Sequence, residues 1–376
     1  MTTLLKYLQA HQSDMLADLR ELVLHESPSH NKELVDKCGQ FILDLVERYL
    51  GVHGESIEQT KVGNHLRFSL GSGPRKILLV GHFDTVWDEG RLPFRVEGNR
   101  AYGPGAFDMK AGLVQALWCL RGIQELADFS NLQVVCFFNS DEEIGSITSR
   151  PYLESEATGC EAAFILEPSA AESGALKTAR KGVGIRHLKI RGVAAHAGNH
   201  HENGVSAIEE LAHQTLKLHS LTDYALGTTV NVGIVRGGSR TNVVADEAEA
   251  HIDFRVATQT EADRVERHMF ELKPVLKGTS IEVTGGLNRP PMERTPATAQ
   301  LFETARQIGH SLGFNVDETS VGGGSDGNFI SAMGVPTLDG LGAVGDGPHA
   351  EYEHVIIDKM PERAALLGEL ILKLSK

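Results

Sequence analysis

Five short motifs rich in histidine and acidic residues are spread along the chain and could together hold metal ions. They are Gly81-His82-Phe83-Asp84-Thr85, Ala106-Phe107-Asp108-Met109-Lys110, Ser140-Asp141-Glu142-Glu143, Leu166-Glu167-Pro168 and Pro348-His349-Ala350. Two histidines, three carboxylates and one spare glutamate are what a pair of zinc ions about 3.5–4 Å apart needs to activate a water for amide hydrolysis. The motifs therefore predict a hydrolase.

Each motif also has an ordinary alternative when it is taken alone. Asp108 follows a turn-rich stretch and precedes a helix, so it is either a helix-capping residue or a carboxylate that bridges two metals. Glu142 and Glu143 are adjacent, so their side chains diverge; they form either an acidic surface turn or one ligand and one general base. Asp84 is placed to hydrogen-bond the second ring nitrogen of His82. The joint occurrence of the motifs favours the metal site.

Composition and charge narrow the class of protein. The chain has 376 residues, 41% of them hydrophobic and 23% charged, which is typical of a globular protein with two or three domains. Its net charge of -14 argues against a nucleic-acid partner. No apolar segment resembles a signal peptide or a membrane span, so we expect a cytoplasmic protein that does not bind membranes. The widely spaced cysteines are typical of buried free thiols.

The apolar patterns predict an α/β fold, with a mixed, mainly parallel sheet flanked by helices. Lys76–Val80, Leu132–Phe138 and Ala162–Leu166 read as strands covered on both faces, and Ala111–Leu126 as a helix that packs on them. The middle of the chain predicts a ferredoxin-like β-α-β-β-α-β unit, with strands and helices at 183–191, 204–219, 229–235, 248–256, 261–276 and 280–284. Because His349 comes after this unit, the unit is expected to be an insertion: 1–178 and 288–376 form the catalytic domain, and 179–287 the inserted domain.

The combination of GHFDTV, GPGAFDMKAG, NSDEEIGS, LEPS, GVAAHAG and GGGSDGNF resembles a zinc-dependent metallopeptidase family. That family includes glutamate carboxypeptidases of the carboxypeptidase G type, aminoacylases, acetylornithine deacetylase and succinyl-diaminopimelate desuccinylase. The resemblance implies a di-zinc exopeptidase fold with two Zn²⁺, for which Co²⁺ or Mn²⁺ can substitute. It implies His82 and Glu167 as ligands of one zinc, Glu143 and His349 as ligands of the other, and Asp108 as the bridge.

The resemblance also implies how the remaining residues act. Glu142 becomes the general base for a zinc-bridging hydroxide, and Asp84 supports the ligands from behind. The peptide bond from Asp108 to Met109 is expected to be cis. His196 matches a histidine of the inserted domain that reaches the active site of a partner subunit, so the resemblance implies a homodimer and a dimerisation (lid) role for that domain.

Substrate-binding residues follow from the same resemblance. Arg255 matches an arginine that grips a substrate carboxylate, although it could equally be a charged residue on the outward face of its strand. Asn242, Gly323 and Gly324 are expected to complete the pocket. Met109 stands where the carboxypeptidase G type has a second acid, which loosens the assignment of the substrate.

Three functional hypotheses remain open. The first is a glutamate carboxypeptidase-like enzyme that cleaves the amide bond of a small peptide or N-acyl amino acid with a free carboxylate. The second is an N-acyl amino acid deacylase of the acetylornithine deacetylase or succinyl-diaminopimelate desuccinylase type. The third is a non-catalytic binding protein on the same fold, and the intact Glu142 and ligand set argue against it.

Overall fold

A computed structural model describes residues 3–375, and the chain divides into two compact units. Unit 1 comprises Met1–Ala179, Arg294–Ser320 and Ser325–Lys376, and unit 2 comprises Arg180–Glu293 with Val321–Gly324. Unit 1 is therefore discontinuous in sequence. The sequence prediction assigned Gly323 and Gly324 to the catalytic domain, whereas the structure places them in unit 2.

The described chain begins with three helices and five strands, after which helices alternate with groups of one to three strands. The α-helices are α1 (Thr3–Ala10), α2 (Gln12–Leu24), α3 (Lys32–Leu50), α4 (Ala111–Leu126), α5 (Arg150–Ala157), α6 (Ala207–His219), α7 (Gln259–Phe270), α8 (Pro296–Leu312), α9 (Gly327–Ala332) and α10 (Lys359–Leu374). The strands are β1 (Glu55–Ile57), β2 (His65–Leu70), β3 (Arg75–His82), β4 (Arg95–Glu97), β5 (Arg100–Tyr102), β6 (Leu132–Asn139), β7 (Ala162–Ile165), β8 (Leu176–Arg180), β9 (Gly182–Arg191), β10 (Thr229–Gly237), β11 (Glu247–Val256), β12 (Ser280–Arg289), β13 (Glu318–Val321), β14 (Thr337–Leu338), β15 (Gly345–Asp346) and β16 (His354–Ile356).

The main sheet of unit 1 has the strand order β1-β2-β6-β3-β7-β14. Strands β6, β3, β7 and β14 are parallel to one another, and β1 and β2 add an antiparallel edge. Alternate residues of β3 face opposite sides: Leu79 packs in a core with α3, α4 and α10, and Leu78 packs in a second core with α5 and α9. Burial on both faces is what the continuous apolar runs predicted.

A smaller antiparallel sheet, with the order β15-β16-β5-β4, also belongs to unit 1. Its β15 and β16 pair through Gly345 with Val355 and Asp346 with His354. The segment between these two strands carries His349, whose φ of 60° lies in the left-handed region that non-glycine residues rarely adopt. The small sheet therefore fixes both ends of the loop that presents this histidine.

Unit 2 has the predicted β-α-β-β-α-β order, in an antiparallel sheet arranged β10-β11-β9-β12. The buried face of β11 consists of alternate residues, as the sequence pattern predicted: Ala248, Ala250, Ile252, Phe254 and Val256. These residues pack against α6 and α7. Both fold predictions, the α/β domain and the inserted unit, are confirmed.

Three element boundaries in unit 2 were wrong. The helix predicted from 204 begins at Ala207, after its N-cap Ser206, and the strand predicted to end at 284 continues to Arg289. The helix predicted over 261–276 ends at Phe270, because Pro274 cannot continue a helix and disfavours helical geometry at the residue before it. The following segment is held by the buried carboxylate of Glu210, which accepts hydrogen bonds from the backbone N–H groups of Val275 and Leu276. Within residues 3–375, no helix combines the length and the apolar character that crossing a membrane requires.

Candidate metal centre

The predicted ligands come together at the carboxyl ends of parallel strands in unit 1. His82 is the last residue of β3, and its register partner on β6 is Asn139, after which the chain turns through Glu142 and Glu143. Glu167 follows β7 by two residues. Since neighbouring parallel strands end at the same edge of a sheet, these side chains converge there.

Asp108 lies between the two histidines. Its Oδ1 is 3.2 Å from Nε2 of His82, and its Oδ2 is 3.5 Å from Nε2 of His349. On one side, Oε1 of Glu167 is 3.5 Å from the same nitrogen of His82. On the other side, Oε2 of Glu143 is 3.2 Å from Nε2 of His349. One carboxylate thus directs its two oxygens to two separate groups of ligand atoms, as a bridging ligand does.

The turn that carries Asp108 departs from helical geometry. Asp108 (φ -113°, ψ 91°) and Met109 (φ -137°, ψ 33°) are non-helical, and the peptide bond between them is cis, as the resemblance implies. Gly105, at φ 69°, adopts the left-handed conformation at the start of the turn. Helix α4 begins immediately afterwards, at Ala111.

Asp84 is fully buried beneath the centre and organises it. Its carboxylate accepts a hydrogen bond from the Ser29 hydroxyl at 2.7 Å and from the backbone N–H groups of Glu142 and Glu143 at 3.2 Å each. The Asp84 carboxylate was expected to hold the second ring nitrogen of His82. Instead, Nδ1 of His82 lies 3.0 Å from the Asp84 carbonyl oxygen and 3.5 Å from its carboxylate. Asp84 therefore contacts both the ring of His82 and the turn that carries Glu142 and Glu143.

The electrostatics of the cluster reflect strong coupling between the histidines and the acids. Burial alone would lower the pKa of His82, but the nearby carboxyl groups, Asp108 first among them, raise that pKa well above its ordinary value. Contacts with Asp108 and then Glu143 raise the pKa of His349 to about 10. Although burial opposes ionisation of Asp108, the two histidines hold its pKa below its usual range. The cluster thus favours positive charge between its carboxylates.

These residues fit divalent metal ions. His82, Asp108 and Glu143 offer ligand atoms that all lie within 4.8 Å of one another, and so do His82, Glu142 and Glu167. Imidazole nitrogen with carboxylate oxygen is a donor set that zinc and related cations accept. Five carboxyl groups meet only two histidines here, an excess of negative charge that bound cations would balance.

In unit 2, the structure brings His196 and Asn242 together. The backbone N–H of Ala197, next to His196, donates to the Asn242 carbonyl at 3.0 Å, and both residues are exposed. Nδ1 of His196 accepts hydrogen bonds from the backbone N–H groups of Gly198 and Asn199, each at 3.1 Å. A neutral His196 therefore carries its proton on Nε2, where it can donate outward.

Arg255, Gly323 and Gly324 lie elsewhere in unit 2. Nε and Nη2 of Arg255 donate to the two carboxylate oxygens of Asp253, at 3.0 and 2.9 Å. The carbonyl oxygens of Gly323 and Gly324 accept hydrogen bonds from Nη1 of Arg180, at 3.2 and 3.3 Å. The outward-facing alternative for Arg255 is compatible with this pairing, and so is a role in binding substrate.

Sequence reasoning missed Glu353, a buried acid whose carboxylate contacts the turn of Asp108. It also missed Ser29, which donates to Asp84. Glu353 follows His349 by four residues in the sequence and comes two residues after an exposed glutamate, Glu351. Nothing in the local sequence distinguishes the two, because their difference in burial arises from tertiary packing.

A domain that collects histidines and carboxylates at the carboxyl ends of parallel strands has the architecture of a metal-dependent hydrolase. Residues 78–373 match the model of peptidase family M20/M25/M40, and the chain belongs to that family. The resemblance inferred from the motifs is thereby confirmed.

Individual relatives differ in activity. Carboxypeptidase G2 from Pseudomonas sp. (strain RS-16) is 29% identical over 381 residues, covering 96% of this chain and 90% of that protein. Acetylornithine deacetylase from Proteus mirabilis (strain HI4320) is 29% identical over 259 residues, covering 63% of this chain and 65% of that protein. A tripeptidase structure from Staphylococcus aureus subsp. aureus Mu50 has a TM-score of 0.77 at 26% identity, covering 97% of this chain and 98% of that chain. Similarity alone therefore leaves the substrate open.

Proposed function

We propose that this chain is a two-metal amidohydrolase that cleaves the amide bond between an acyl or peptidyl group and an amino acid with a free α-carboxylate, in the manner of a glutamate carboxypeptidase. The observation that carries the proposal is the position of Asp108, with one oxygen facing His82 and the other facing His349. In this proposal His82 and Glu167 would hold one ion, Glu143 and His349 would hold the other, and Asp108 would supply one carboxylate oxygen to each side.

Bound divalent cations, zinc in our proposal with cobalt or manganese able to substitute, would polarise the scissile carbonyl and lower the pKa of the attacking water. Glu142 then acts as the general base that takes a proton from this water. The water oxygen bonds to the carbonyl carbon, the carbon–nitrogen bond breaks, and Glu142 passes the proton to the leaving amine. Asp84 holds Glu142 and Glu143 in their relative positions through their backbone N–H groups.

A substrate panel tests this function. N-acyl amino acids, glutamate-terminated peptides, N-acetylornithine and N-succinyl-diaminopimelate are incubated with protein depleted of metal by chelator and with protein reloaded with zinc, and released amine is quantified. We expect metal-dependent release from substrates with a free carboxylate, and the highest kcat/KM for glutamate-terminated ones. Full activity in metal-depleted protein would contradict the proposal.

A deacylase is the second candidate, because acetylornithine deacetylase matches 63% of this chain. The same panel separates the two: a preference for N-acetylornithine or N-succinyl-diaminopimelate over peptides would replace the first candidate. Metal binding without hydrolysis of any panel member would favour a binding protein of the same fold.

Arg255 is proposed to bind the substrate carboxylate. Asp253 occupies two of the five N–H donors of its guanidinium group, which leaves three for a ligand and fixes the orientation of the group. Replacing Arg255 with alanine should lower kcat/KM for a carboxylate substrate by about 10- to 100-fold, from the loss of a charge-assisted hydrogen bond.

The matched measurement repeats the assay with the carboxamide analogue of the same substrate. We expect Arg255→Ala to have little effect on the analogue, since it lacks the negative charge. Arg236→Ala is the control. Arg236 is exposed on β10, the strand next to that of Arg255, and its Nη1 lies 3.6 Å from Oε1 of Glu249. Equal losses for carboxylate and carboxamide would argue that Arg255 has only a structural role.

A homodimer with shared sites is also proposed, with His196 donating from Nε2 to the developing oxyanion in the partner subunit. His196→Ala and Glu142→Gln proteins, each nearly inactive alone, should recover up to about a quarter of wild-type activity after mixing under conditions that allow subunit exchange, because random pairing gives one intact site in half of the dimers. Light scattering would report the dimer. No recovery despite proven exchange would contradict a shared site.

A further inference from the structure

Glu353 is a buried acid in unit 1 that lies outside the set of proposed ligands. The residue is 1% exposed, and its carboxylate accepts four hydrogen bonds. Oε1 accepts hydrogen bonds from the backbone N–H groups of Phe107 and Asp108, each at 2.9 Å. Oε2 accepts hydrogen bonds from the indole N–H of Trp87 at 2.7 Å and from the backbone N–H of Gly105 at 3.1 Å. All four donors are neutral, so this carboxylate is held by hydrogen bonds from the main chain and one indole.

Glu353 supplies acceptors to N–H groups at the start of the turn Ala106–Lys110. Phe107 and Asp108 lie in its first residues, where no preceding helical carbonyl can accept from their N–H groups, so these groups need a partner from elsewhere in the fold. The backbone N–H groups of Gly105, Phe107 and Asp108 all donate to this one carboxylate. These three hydrogen bonds define the path of the main chain that carries Asp108.

The same glutamate belongs to the loop of His349. Its own backbone N–H donates to the carbonyl of Ala350 at 2.8 Å, and β16 begins at the next residue. One side chain therefore ties the His349 loop to the turn of Asp108. These are the two segments whose side chains face each other, with Nε2 of His349 3.5 Å from Oδ2 of Asp108.

We propose that Glu353 is a positioning residue that sets the distance between Asp108 and His349, and thereby the geometry and affinity of the metal centre, without contacting an ion or the substrate. The inference rests on the proposed two-metal function. A carboxylate is required because its two oxygens accept hydrogen bonds only, whereas the amide of glutamine would turn an N–H₂ group toward two of the donors.

The test substitutes Glu353→Gln and uses Glu351→Gln as the matched control. Glu351 undergoes the same chemical change two residues away, with a side chain that is 66% exposed and pairs with Arg91. The readouts are metal affinity by competition with a chelator, the visible absorption spectrum of the Co²⁺-loaded protein, and circular dichroism with thermal unfolding of the metal-free protein. Loss of a group that orients a ligand typically weakens metal binding about 10- to 100-fold.

We expect Glu353→Gln to show that loss of affinity together with an altered Co²⁺ spectrum, while Glu351→Gln behaves as wild type. Unchanged affinity and spectrum in Glu353→Gln would overturn the proposal, even if stability or activity fell. If Glu353→Gln does not fold, Trp87→Phe decides instead: it removes one of the four donors and should weaken metal binding in the same direction, and wild-type affinity would overturn the proposal.

Failure of the underlying function is distinguishable. Wild-type protein that binds no metal, or hydrolyses no amide when loaded, would contradict the proposed function. Normal binding and hydrolysis by the wild type, with an unaffected Glu353→Gln, would contradict only the role of Glu353.

Discussion

Replacing Glu142 with glutamine is expected to lower kcat by about 10²- to 10⁴-fold while the content of bound metal stays unchanged. Glutamine keeps the size of the side chain and its carbonyl oxygen, but it cannot accept a proton from water near neutral pH. Steady-state kinetics and metal analysis on the same preparations measure the two quantities. KM should change little, because the proposed role of Glu142 lies in proton transfer rather than in substrate binding.

The metal content decides the role of Glu142, because the structure leaves room for a second interpretation. Glu142 offers a ligand atom within 4.8 Å of those of His82 and Glu167, so its position alone is compatible with a ligand as well as a base. Replacing a metal ligand lowers the content of bound metal. Replacing a general base lowers kcat and leaves the content of bound metal unchanged.

Glu143→Gln is the matched control, since it makes the same chemical change at the adjacent residue. Oε2 of Glu143 lies 3.2 Å from Nε2 of His349, and we expect this variant to lose metal and activity together. The backbone N–H groups of both residues donate to Asp84, and a change of side chain leaves these donors in place, so we expect neither variant to disturb the turn. Metal loss in Glu142→Gln with metal retained in Glu143→Gln would exchange the two roles and contradict the proposed base.

Sequence patterns predicted the elements whose burial is periodic. The continuous apolar runs identified β3, β6 and β7 because both faces of these strands are covered, and the strict alternation at 248–256 identified β11 because one face is covered. Candidate ligands could be found in the same way, since a carboxylate or histidine directly after a buried strand lies where an α/β sheet binds ligands.

Contacts that depend on distant parts of the chain could not be predicted in this way. Glu353 and Glu351 look alike in the sequence, yet one is 1% exposed and holds the turn of Asp108 while the other lies on the surface. Similarly, nothing in the local sequence shows that Glu210 of α6 accepts hydrogen bonds from the backbone N–H groups of Val275 and Leu276. Such partners are set by tertiary packing, which has no short-range periodicity.

Substituting Asp108 with asparagine is expected to reduce bound metal from two ions per chain to one or none and to bring amide hydrolysis to background. Oδ1 of Asp108 is 3.2 Å from Nε2 of His82 and Oδ2 is 3.5 Å from Nε2 of His349, so each oxygen serves one side of the centre. Asparagine retains a single oxygen, and its N–H₂ group donates hydrogen bonds and does not bind a cation. Metal analysis and the rise in melting temperature on adding zinc measure the loss, because a ligand that binds the folded state stabilises it.

Asp44→Asn is the control, since Asp44 is an exposed residue of α3 that accepts a hydrogen bond from Gln40. It should bind two ions and respond to zinc as the wild type does. We expect the turn itself to persist in Asp108→Asn, because the backbone N–H of Asp108 is held by Glu353 rather than by its own carboxylate, and circular dichroism of the metal-free protein checks this. Two ions bound with wild-type affinity in Asp108→Asn would therefore contradict the bridging role, and would leave Asp108 as a hydrogen-bond partner of His82 and His349 only.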